Sequence, residues 1–155
     1  MLLAAGRGER LRPLTDTLPK ALVYINGESL LERHLRRLSA AGITSVVINT
    51  GWCGEQIIER IASGRQYGVH VVFSPEYNHL LDTGGGILRA LPLLGDEPFW
   101  VVNADIVCDW IPSAPSMPDD AMAQLVLVPN PGYRNMGYFG FRAVRVINKK
   151  NALYT

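Results

Sequence analysis

Short apolar runs of strand length recur along the chain and predict a β-sheet. They are "LLAA" (2–5), "SVVIN" (45–49), "VHVVF" (69–73), "FWVVN" (99–103) and "QLVLV" (124–128). Valine and isoleucine are frequent in these runs, and neighbouring positions are both apolar rather than alternately apolar and polar. Strands of this type are buried on both faces, which is typical of a parallel sheet.

Helical patterns lie between the apolar runs. The segment "SLLERHLRRLSAAG" (29–42) places leucines on one helical face. Ser29 and Glu32 have the spacing of a capping box, and Gly42 suits the position after a helix, so a helix is predicted between Ser29 and Gly42. Two more helices are predicted over "GEQIIERIASG" (54–64) and from the glycines at 84–86 to Leu94.

The alternation of strands and helices predicts a doubly wound α/β domain, in which a mostly parallel sheet is covered by helices on both faces. In such sheets ligands bind outside the carboxyl ends of the strands. The loops that follow Ala5, Asn49, Phe73 and Asn103 are therefore the expected location of a functional site.

Composition limits the classes of function. A chain of 155 residues that is 48% hydrophobic can form one globular domain, and 15 basic against 14 acidic residues give no overall field for nucleic acid or a membrane surface. Cys53 and Cys108 lack CxxC spacing, so no zinc ribbon or disulfide framework is indicated. The start "MLLAAG" does not resemble a signal peptide, and no apolar run approaches the roughly 18 residues of a membrane span. A cytoplasmic protein is expected.

The last third of the chain differs in character. "DWIPSAPSMPDD" (109–120) contains three prolines and predicts an irregular segment. We predict an α/β core over residues 1–132 and a basic, atypical tail over residues 133–155, so that the fold is shortened at its C-terminal end. The segment "RVINKKNALYT" (145–155) lacks caps and a sustained period, which predicts an end that is poorly ordered or dependent on a partner.

The segment "LLAAGRGERLRPLTDTLPKAL" (2–22) places three arginines and a lysine beside two glycines. Backbone amides at glycines can cradle phosphates, and guanidinium groups match phosphate oxygens, so the loop predicts a polyphosphate site. A Walker A loop is excluded because neither glycine has the required spacing to a lysine. A dinucleotide-binding fingerprint matches only in part, since Leu11 stands where a third glycine is needed, and it remains an alternative.

The same segment resembles the signature of the sugar-1-phosphate nucleotidyltransferases, G-x-G-x-R-(L/M)-x-P-L-T followed by P-K. The similarity continues through residues 47–52, 80–106 and 125–132. It implies a Rossmann-like fold of the nucleotide-diphospho-sugar transferase type. Within the family, "DTGGGI" (82–87) and "ALPLLGD" (90–96) resemble the branch that acts on N-acetylmuramate 1-phosphate in cell-wall recycling more than the glucose or mannose branches.

The resemblance implies that UTP and a sugar 1-phosphate are the partners, and it leaves the oligomeric state open. An oxygen of the sugar 1-phosphate would attack the α-phosphorus of UTP, which releases pyrophosphate and forms a UDP-sugar. Because this nucleophile is already ionised, no general base is required, and catalysis depends on alignment and neutralisation of charge. The implied catalytic residues are Arg10, Lys20 and Asp105.

The resemblance also implies separate roles within the site. Gly6 and Gly8 would let the backbone approach the phosphates, Arg7 and Arg10 would lie over the β- and γ-phosphates, and Lys20 would neutralise the α-phosphate or the sugar phosphate. The implied nucleotide-binding residues are Ala5, Gly6, Arg7, Gly8, Glu9, Arg10, Lys20, Thr83, Gly84, Gly85 and Asn103. Among them, Thr83, Gly84 and Gly85 would receive the uracil edge and ribose, and they would serve equally as a helix N-terminus capped by Asp82.

Asp105 follows the strand "FWVVN", at the predicted carboxyl edge of the sheet. The resemblance implies that it is a ligand of Mg²⁺, an ion that commonly takes one or two carboxylates together with phosphates and water. Ala104 stands where a glycine is more usual in the family, which narrows the space beside the ligand.

The chain departs from the family pattern toward its C-terminus. Family members are longer and carry a second metal-binding aspartate near their end, whereas no Asp or Glu follows Asp120 here. Tyr138 stands where the closest branch has an aspartate that approaches the sugar. A second interpretation is therefore a nucleotide-binding remnant that holds UTP without turnover. Thymidylyl or guanylyl transfer is a further alternative.

Overall fold

The computed structural model describes residues 1–77, 79–110, 112–113, 117–129, 137–142 and 145–152. The chain divides into two compact units, Met1–Ser116 and Met117–Thr155. Across the described residues, the helices are all too short or too polar to cross a bilayer.

The first unit alternates strands and helices as the sequence predicts. In chain order its elements are β1 (Leu2–Leu3), β2 (Tyr24–Ile25), β3 (Glu28–Ser29), α1 (Leu30–Ala40), β4 (Ser45–Thr50), α2 (Gly54–Ile61), β5 (His70–Pro75), α3 (Asp82–Leu94) and β6 (Val102–Asn103). Strands β2 and β3 form a separate antiparallel pair. Three 3₁₀ turns, at Glu9–Leu11, Leu14–Asp16 and Lys20–Leu22, carry the chain from β1 to β2.

The main sheet has the strand order β5-β4-β1-β6, and all of its pairings are parallel. Leu2 of β1 pairs with Ile48 of β4 on one side and with Val102 of β6 on the other. The chain winds outward from β1 to β4 and β5 and then returns to place β6 on the far side of β1. The winding direction therefore reverses between β1 and β6, which is where a doubly wound sheet forms a ligand crevice.

Helices cover both faces of this sheet, which confirms the predicted fold class. Helices α1 and α2 bury Leu35 and Ile57 against Leu2 and Ile48 in the larger apolar cluster. Helix α3 packs on the other face, where its Ala90 contributes to a smaller cluster. Successive strand residues belong to different clusters because side chains alternate between the two faces of a strand.

Helix α1 begins with the capping box that its sequence predicts. The Glu32 amide donates to the Ser29 hydroxyl oxygen, and the Ser29 amide donates to the Glu32 carboxylate. The buried carboxylate also accepts hydrogen bonds from Tyr67 (2.8 Å) and Arg60 (3.1 Å). Burial alone raises the pKa of Glu32, but hydrogen bonds from Ser29, Tyr67 and Arg60 outweigh it and lower this pKa from 4.5 to about 2.

Several predicted elements differ in extent from the observed ones. Strands β1 and β6 have two residues each, α2 ends at Ile61, and α3 begins two residues before the glycine run. The run "QLVLV" (124–128) does not form a strand, and its side chains are largely exposed. An apolar run becomes a strand only where a neighbouring strand accepts its hydrogen bonds, which the local sequence does not specify.

The second unit contains an antiparallel pair formed by β7 (Gly137–Arg142) and β8 (Arg145–Ala152), with Arg142 opposite Arg145. The sequence instead predicted that residues 145–155 form an end that is poorly ordered or dependent on a partner. A hairpin is stabilised by pairing between adjacent segments and needs neither helix caps nor a helical period. Residues 153–155 lie outside the described residues. The predicted core boundary after residue 132 stays a prediction.

Candidate functional site

A cavity of about 440 Å³ opens at the carboxyl ends of β1, β4 and β6, around the point where the winding direction reverses. Three segments surround it: the loop after β1, the residues that precede and begin α3, and the residues that follow β6. The cavity is lined by Leu3, Ala4, Ala5, Gly6, Gly8, Glu9, Arg10, Lys20, Ala21, Asn49, Glu76, Leu80, Asp82, Thr83, Asn103, Ala104 and Asp105.

The structure brings most of the predicted site residues to this cavity. Those that line it are Ala5, Gly6, Gly8, Glu9, Arg10, Lys20, Thr83, Asn103 and Asp105. Arg7, Gly84 and Gly85 are not among the lining residues. The roles inferred from the resemblance stay predictions for all of them.

The glycine loop turns at Gly8, whose φ of +66° lies in the left-handed region that favours glycine. A Cβ atom at this position would lie 3.1 Å from side-chain carbons of both Lys20 and Thr15. The buried Thr15 hydroxyl donates to the Gly8 carbonyl oxygen at 2.8 Å, and the Leu11 amide donates to the same oxygen at 2.9 Å. Gly8 therefore allows the loop to fold closely over Lys20, and Thr15 holds it there.

Lys20 and Asp105 meet across the cavity. The Lys20 ammonium group donates to Oδ2 of Asp105, and both side chains are about one-third exposed. Lys20 begins the third 3₁₀ turn, and the next two residues of this turn, Ala21 and Leu22, are buried in the core and hold it in position. Asp105 follows Ala104, which is 1% exposed and whose amide donates to the Leu3 carbonyl oxygen at 3.0 Å. The core thus places a cation and a carboxylate opposite each other.

Arg7 and Arg10 point to different surroundings, which the sequence could not distinguish. The Arg7 guanidinium lies over the Trp52 ring, 4.2 Å from the ring centroid. The Trp52 indole donates to the Thr15 carbonyl oxygen at 2.9 Å, and the Trp52 backbone amide donates to the Ala5 carbonyl oxygen at 3.1 Å. Arg7 therefore contacts Trp52 and does not line the cavity in this structure, whereas Arg10 does.

The first turn of α3 forms another wall of the cavity. Leu81, not Asp82, is the residue before this helix, and Asp82 makes no capping hydrogen bond. The interpretation of Asp82 as a cap is therefore wrong. Asp82 and Thr83 instead line the cavity. At Gly84, a Cβ atom would have no other atom within 4 Å, so a side chain there would meet open space.

Besides Asp82, for which it indicated only a cap, sequence reasoning missed two polar residues of the cavity, Asn49 and Glu76. Asn49 is 3% exposed at the end of β4, and Glu76 is 6% exposed just after β5. Asn49 Nδ2 donates to Glu76 Oε1 at 2.8 Å. The available signal was a polar residue at the carboxyl end of each of two apolar strands, which is where a doubly wound sheet places its ligand.

The residues present fit a divalent cation that enters with a phosphate ligand. The lining residues that carry charge are mostly acidic: Glu9, Glu76, Asp82 and Asp105 against the basic Arg10 and Lys20. A polyphosphate would add further negative charge, which a bound divalent cation would partly neutralise. The described residues include no group of three or more His, Cys, Asp or Glu side chains able to hold a metal ion. Asp105 could supply one carboxylate, and Mg²⁺ usually completes its shell with substrate phosphates and water.

Comparison with known proteins identifies the class of protein to which this fold and cavity belong. The family model described as nucleotidyl transferase matches residues 1–127. The chain belongs to this family.

Two curated relatives share the name N-acetylmuramate alpha-1-phosphate uridylyltransferase. The protein from Neisseria meningitidis serogroup B is 49% identical over 144 residues, which cover 90% of this chain and 62% of the relative. The protein from Caulobacter vibrioides is 39% identical over 125 residues, which cover 79% of this chain and 51% of the relative. The chain therefore spans between about half and three-fifths of the length of these relatives.

A solved structure of UDP-glucose pyrophosphorylase complexed with UDP-glucose is similar in fold to this chain. The TM-score is 0.58 at 26% sequence identity, and the match covers 71% of this chain and 47% of the other. This likeness supports the assignment of the α/β sheet to the nucleotidyl transferase fold.

Proposed function

We propose that this chain carries the nucleotide-binding part of a uridylyltransferase that uses UTP and a sugar 1-phosphate, with N-acetylmuramate 1-phosphate as the sugar substrate. The products would be a UDP-sugar and pyrophosphate, and the proposed role is in cell-wall recycling. The choice of sugar and nucleotide follows the names of the two relatives, which are 49% and 39% identical to this chain over the aligned residues.

One observation carries the proposal: Lys20 and Asp105 face each other across a cavity bounded by the glycine loop. When a triphosphate binds in this cavity, its oxygens would replace the Asp105 carboxylate as the partner of the Lys20 ammonium group. The α-phosphate is the group proposed to lie near Lys20, because the ammonium group can then neutralise the charge that develops during attack.

The reaction forms one bond and breaks another at the same phosphorus atom. An oxygen of the sugar 1-phosphate forms a bond with the α-phosphorus, and the bond between this phosphorus and the bridging oxygen to the β-phosphate breaks. The bonding electrons leave with pyrophosphate, and no proton must be removed from the nucleophile. The chain's own contribution is therefore to align the two phosphates and to reduce their repulsion.

Each segment of the cavity has a distinct proposed role. Backbone amides of Gly6 and Gly8 would contact the phosphates, and Arg10 would pair with the β- and γ-phosphates. Asn103 and the first turn of α3 would hold the nucleoside. Asp105 would hold Mg²⁺, which when bound supplies charge neutralisation at the phosphates.

The experiment that tests this proposal measures pyrophosphate release. Purified chain is mixed with Mg²⁺, UTP and N-acetylmuramate 1-phosphate, and parallel reactions replace UTP by dTTP or GTP and the sugar by glucose 1-phosphate. Release that is fastest with UTP and N-acetylmuramate 1-phosphate supports the proposal. Faster release with another pair would refute the proposed specificity.

A second candidate function is UTP binding without turnover. It is favoured by the cavity lining, where Asp105 is the single acidic residue after β6 among the residues that the structure describes. UTP binding without pyrophosphate release, whose affinity is unchanged in Asp105→Ala, would favour this function over the enzyme.

A further inference from the structure

A buried hydrogen-bonded chain in the wall of the cavity connects the start of the glycine loop, two strands and helix α3. The Ala4 amide donates to Asn49 Oδ1 at 2.7 Å, and Asn49 Nδ2 donates to Glu76 Oε1 at 2.8 Å. The Leu81 amide then donates to Glu76 Oε2 at 2.8 Å. Asn49 and Glu76 are therefore the two side chains that link Ala4, next to the glycine loop, with Leu81, next to the first turn of α3.

The direction of each bond in this chain is fixed by chemistry. Two backbone amides can only donate, so Asn49 must present its oxygen to Ala4 and Glu76 must present an oxygen to Leu81. The remaining Asn49 amide group then faces the remaining Glu76 oxygen, as a donor facing an acceptor. Both side chains are almost completely buried, so water cannot readily replace a lost partner.

The third glycine of the "DTGGGI" segment is explained by the same contact. A Cβ atom at Gly86 would lie 2.8 Å from Asn49 Nδ2 and 2.8 Å from Glu76 Oε1. Helix α3 thus rests directly on the hydrogen bond between these two side chains. Any larger residue at position 86 would push the helix away or separate the pair.

We propose that Asn49 and Glu76 are positioning residues for nucleotide binding: their hydrogen bond sets the first turn of α3 relative to the glycine loop. The pair acts through Asp82 and Thr83, which line the cavity and follow Leu81 directly. This inference rests on the proposed function for its ligand. It adds a determinant of affinity that lies outside the phosphate-binding residues.

The test reverses the polarity of the pair. In Glu76→Gln, one carboxamide cannot accept from both Leu81 and Asn49, so one bond is lost in either orientation. In Asn49→Asp, two carboxylate oxygens face each other. In the double variant, the new carboxylate at position 49 can still accept from the Ala4 amide. The new carboxamide at position 76 can donate to that carboxylate and accept from Leu81, so every bond is restored with the net charge unchanged.

UTP affinity is measured for each variant by calorimetry, together with kcat and KM where turnover occurs. We expect each single variant to raise the UTP dissociation constant about tenfold, with a larger effect on KM than on kcat, and the double variant to return within about threefold of wild type. Glu97→Gln makes the same chemical change at an exposed position outside the cavity and should not alter the affinity. A double variant as impaired as the worse single variant would overturn the proposal.

Amide hydrogen exchange separates this inference from the proposed function. The amides of Leu81 and of the first turn of α3 should exchange faster in each single variant and return to the wild-type rate in the double variant. If wild type does not bind UTP, the proposed function fails, and the exchange rates still decide whether the pair fixes α3. Unchanged exchange in the folded single variants would show that it does not.

Discussion

Lys20 and Asp105 are 85 positions apart in the sequence, yet they form an ion pair in the lining of the cavity. Both residues are adjacent to buried core residues. Lys20 directly precedes the buried Ala21, and Asp105 directly follows the buried Ala104. A partly exposed ion pair contributes at most about 1 kcal/mol to the free energy of folding. Its placement is therefore better explained by binding than by stability.

Replacement of Lys20 should impair turnover without unfolding the chain. We expect Lys20→Met to lower kcat/KM by about 100-fold or more, because the ammonium group is proposed to neutralise charge that develops at the α-phosphate. Its unfolding free energy should change by less than about 1 kcal/mol. Arg36→Met removes the cation of another surface ion pair, with Glu28, and serves as the control. Equal activity of the Lys20 and Arg36 variants would contradict the assignment.

Gly8 should be sensitive to substitution for a reason that Gly42 does not share. Both residues have positive φ, +66° and +79°, so alanine at either position costs roughly 1 kcal/mol of backbone strain. Only at Gly8 would the added Cβ contact Lys20 and Thr15, since nothing lies within 4 Å at Gly42. Denaturant unfolding should give a loss for Gly8→Ala at least as large as that for Gly42→Ala, whereas UTP titration should show weaker binding for Gly8→Ala alone. Comparable UTP affinities for the two variants would refute this explanation.

The two arginines of the glycine loop should differ in their importance for UTP binding. Arg10 lines the cavity, whereas Arg7 lies over the Trp52 ring on the outside of the loop. We expect Arg10→Ala to raise the UTP dissociation constant about tenfold and Arg7→Ala about threefold or less. Calorimetric titration of the two variants decides the order, and the reverse order would mean that Arg7 leaves Trp52 to bind the phosphates.

The stability of the first unit should fall in acid because of Glu32. Its pKa is lowered from 4.5 to about 2 in the folded chain, so the ionised carboxylate stabilises the fold fully above pH 4.5. This contribution is lost as the pH falls through 4.5 toward 2. The full shift corresponds to roughly 3 kcal/mol at 1.36 kcal/mol per pH unit, and solvent screening of the half-exposed Arg60 reduces the expected loss to about 2 kcal/mol.

The measurement for Glu32 is the unfolding free energy of wild type and Glu32→Gln across this pH range. Wild type should be the more stable protein at neutral pH, and the difference between the two should shrink as the carboxylate is protonated. A difference that stays constant down to pH 2 would show that the carboxylate charge does not stabilise α1.

The sequence predicts the parts of this fold that depend on local patterns. The capping box at Ser29 and the parallel strands follow from periodicity and end signals, whereas the resemblance to the nucleotidyltransferase signature places Lys20 and Asp105 in one site. The sequence does not predict the contact between Asn49 and Glu76, because each residue alone is an ordinary polar residue at the end of a strand. Their pairing depends on the close approach of α3 at Gly86, which only the assembled structure reveals.

The same distinction explains the run "QLVLV" and the two arginines. An apolar run forms a strand only if the assembled sheet provides an edge with which it can pair. Residues 124–128 do not form a strand. Likewise, the motif places Arg7 and Arg10 together in the loop, but the position of Trp52 decides that Arg7 lies over an aromatic ring.

The central claim is that the cavity between the glycine loop and Asp105 binds UTP. Isothermal titration of UTP with Mg²⁺ into the folded chain tests it most directly, with Asp105→Asn titrated in parallel. We expect one UTP per chain and binding that weakens at least tenfold in the variant. Absence of UTP binding by folded wild type, or equal affinity in Asp105→Asn, would contradict it.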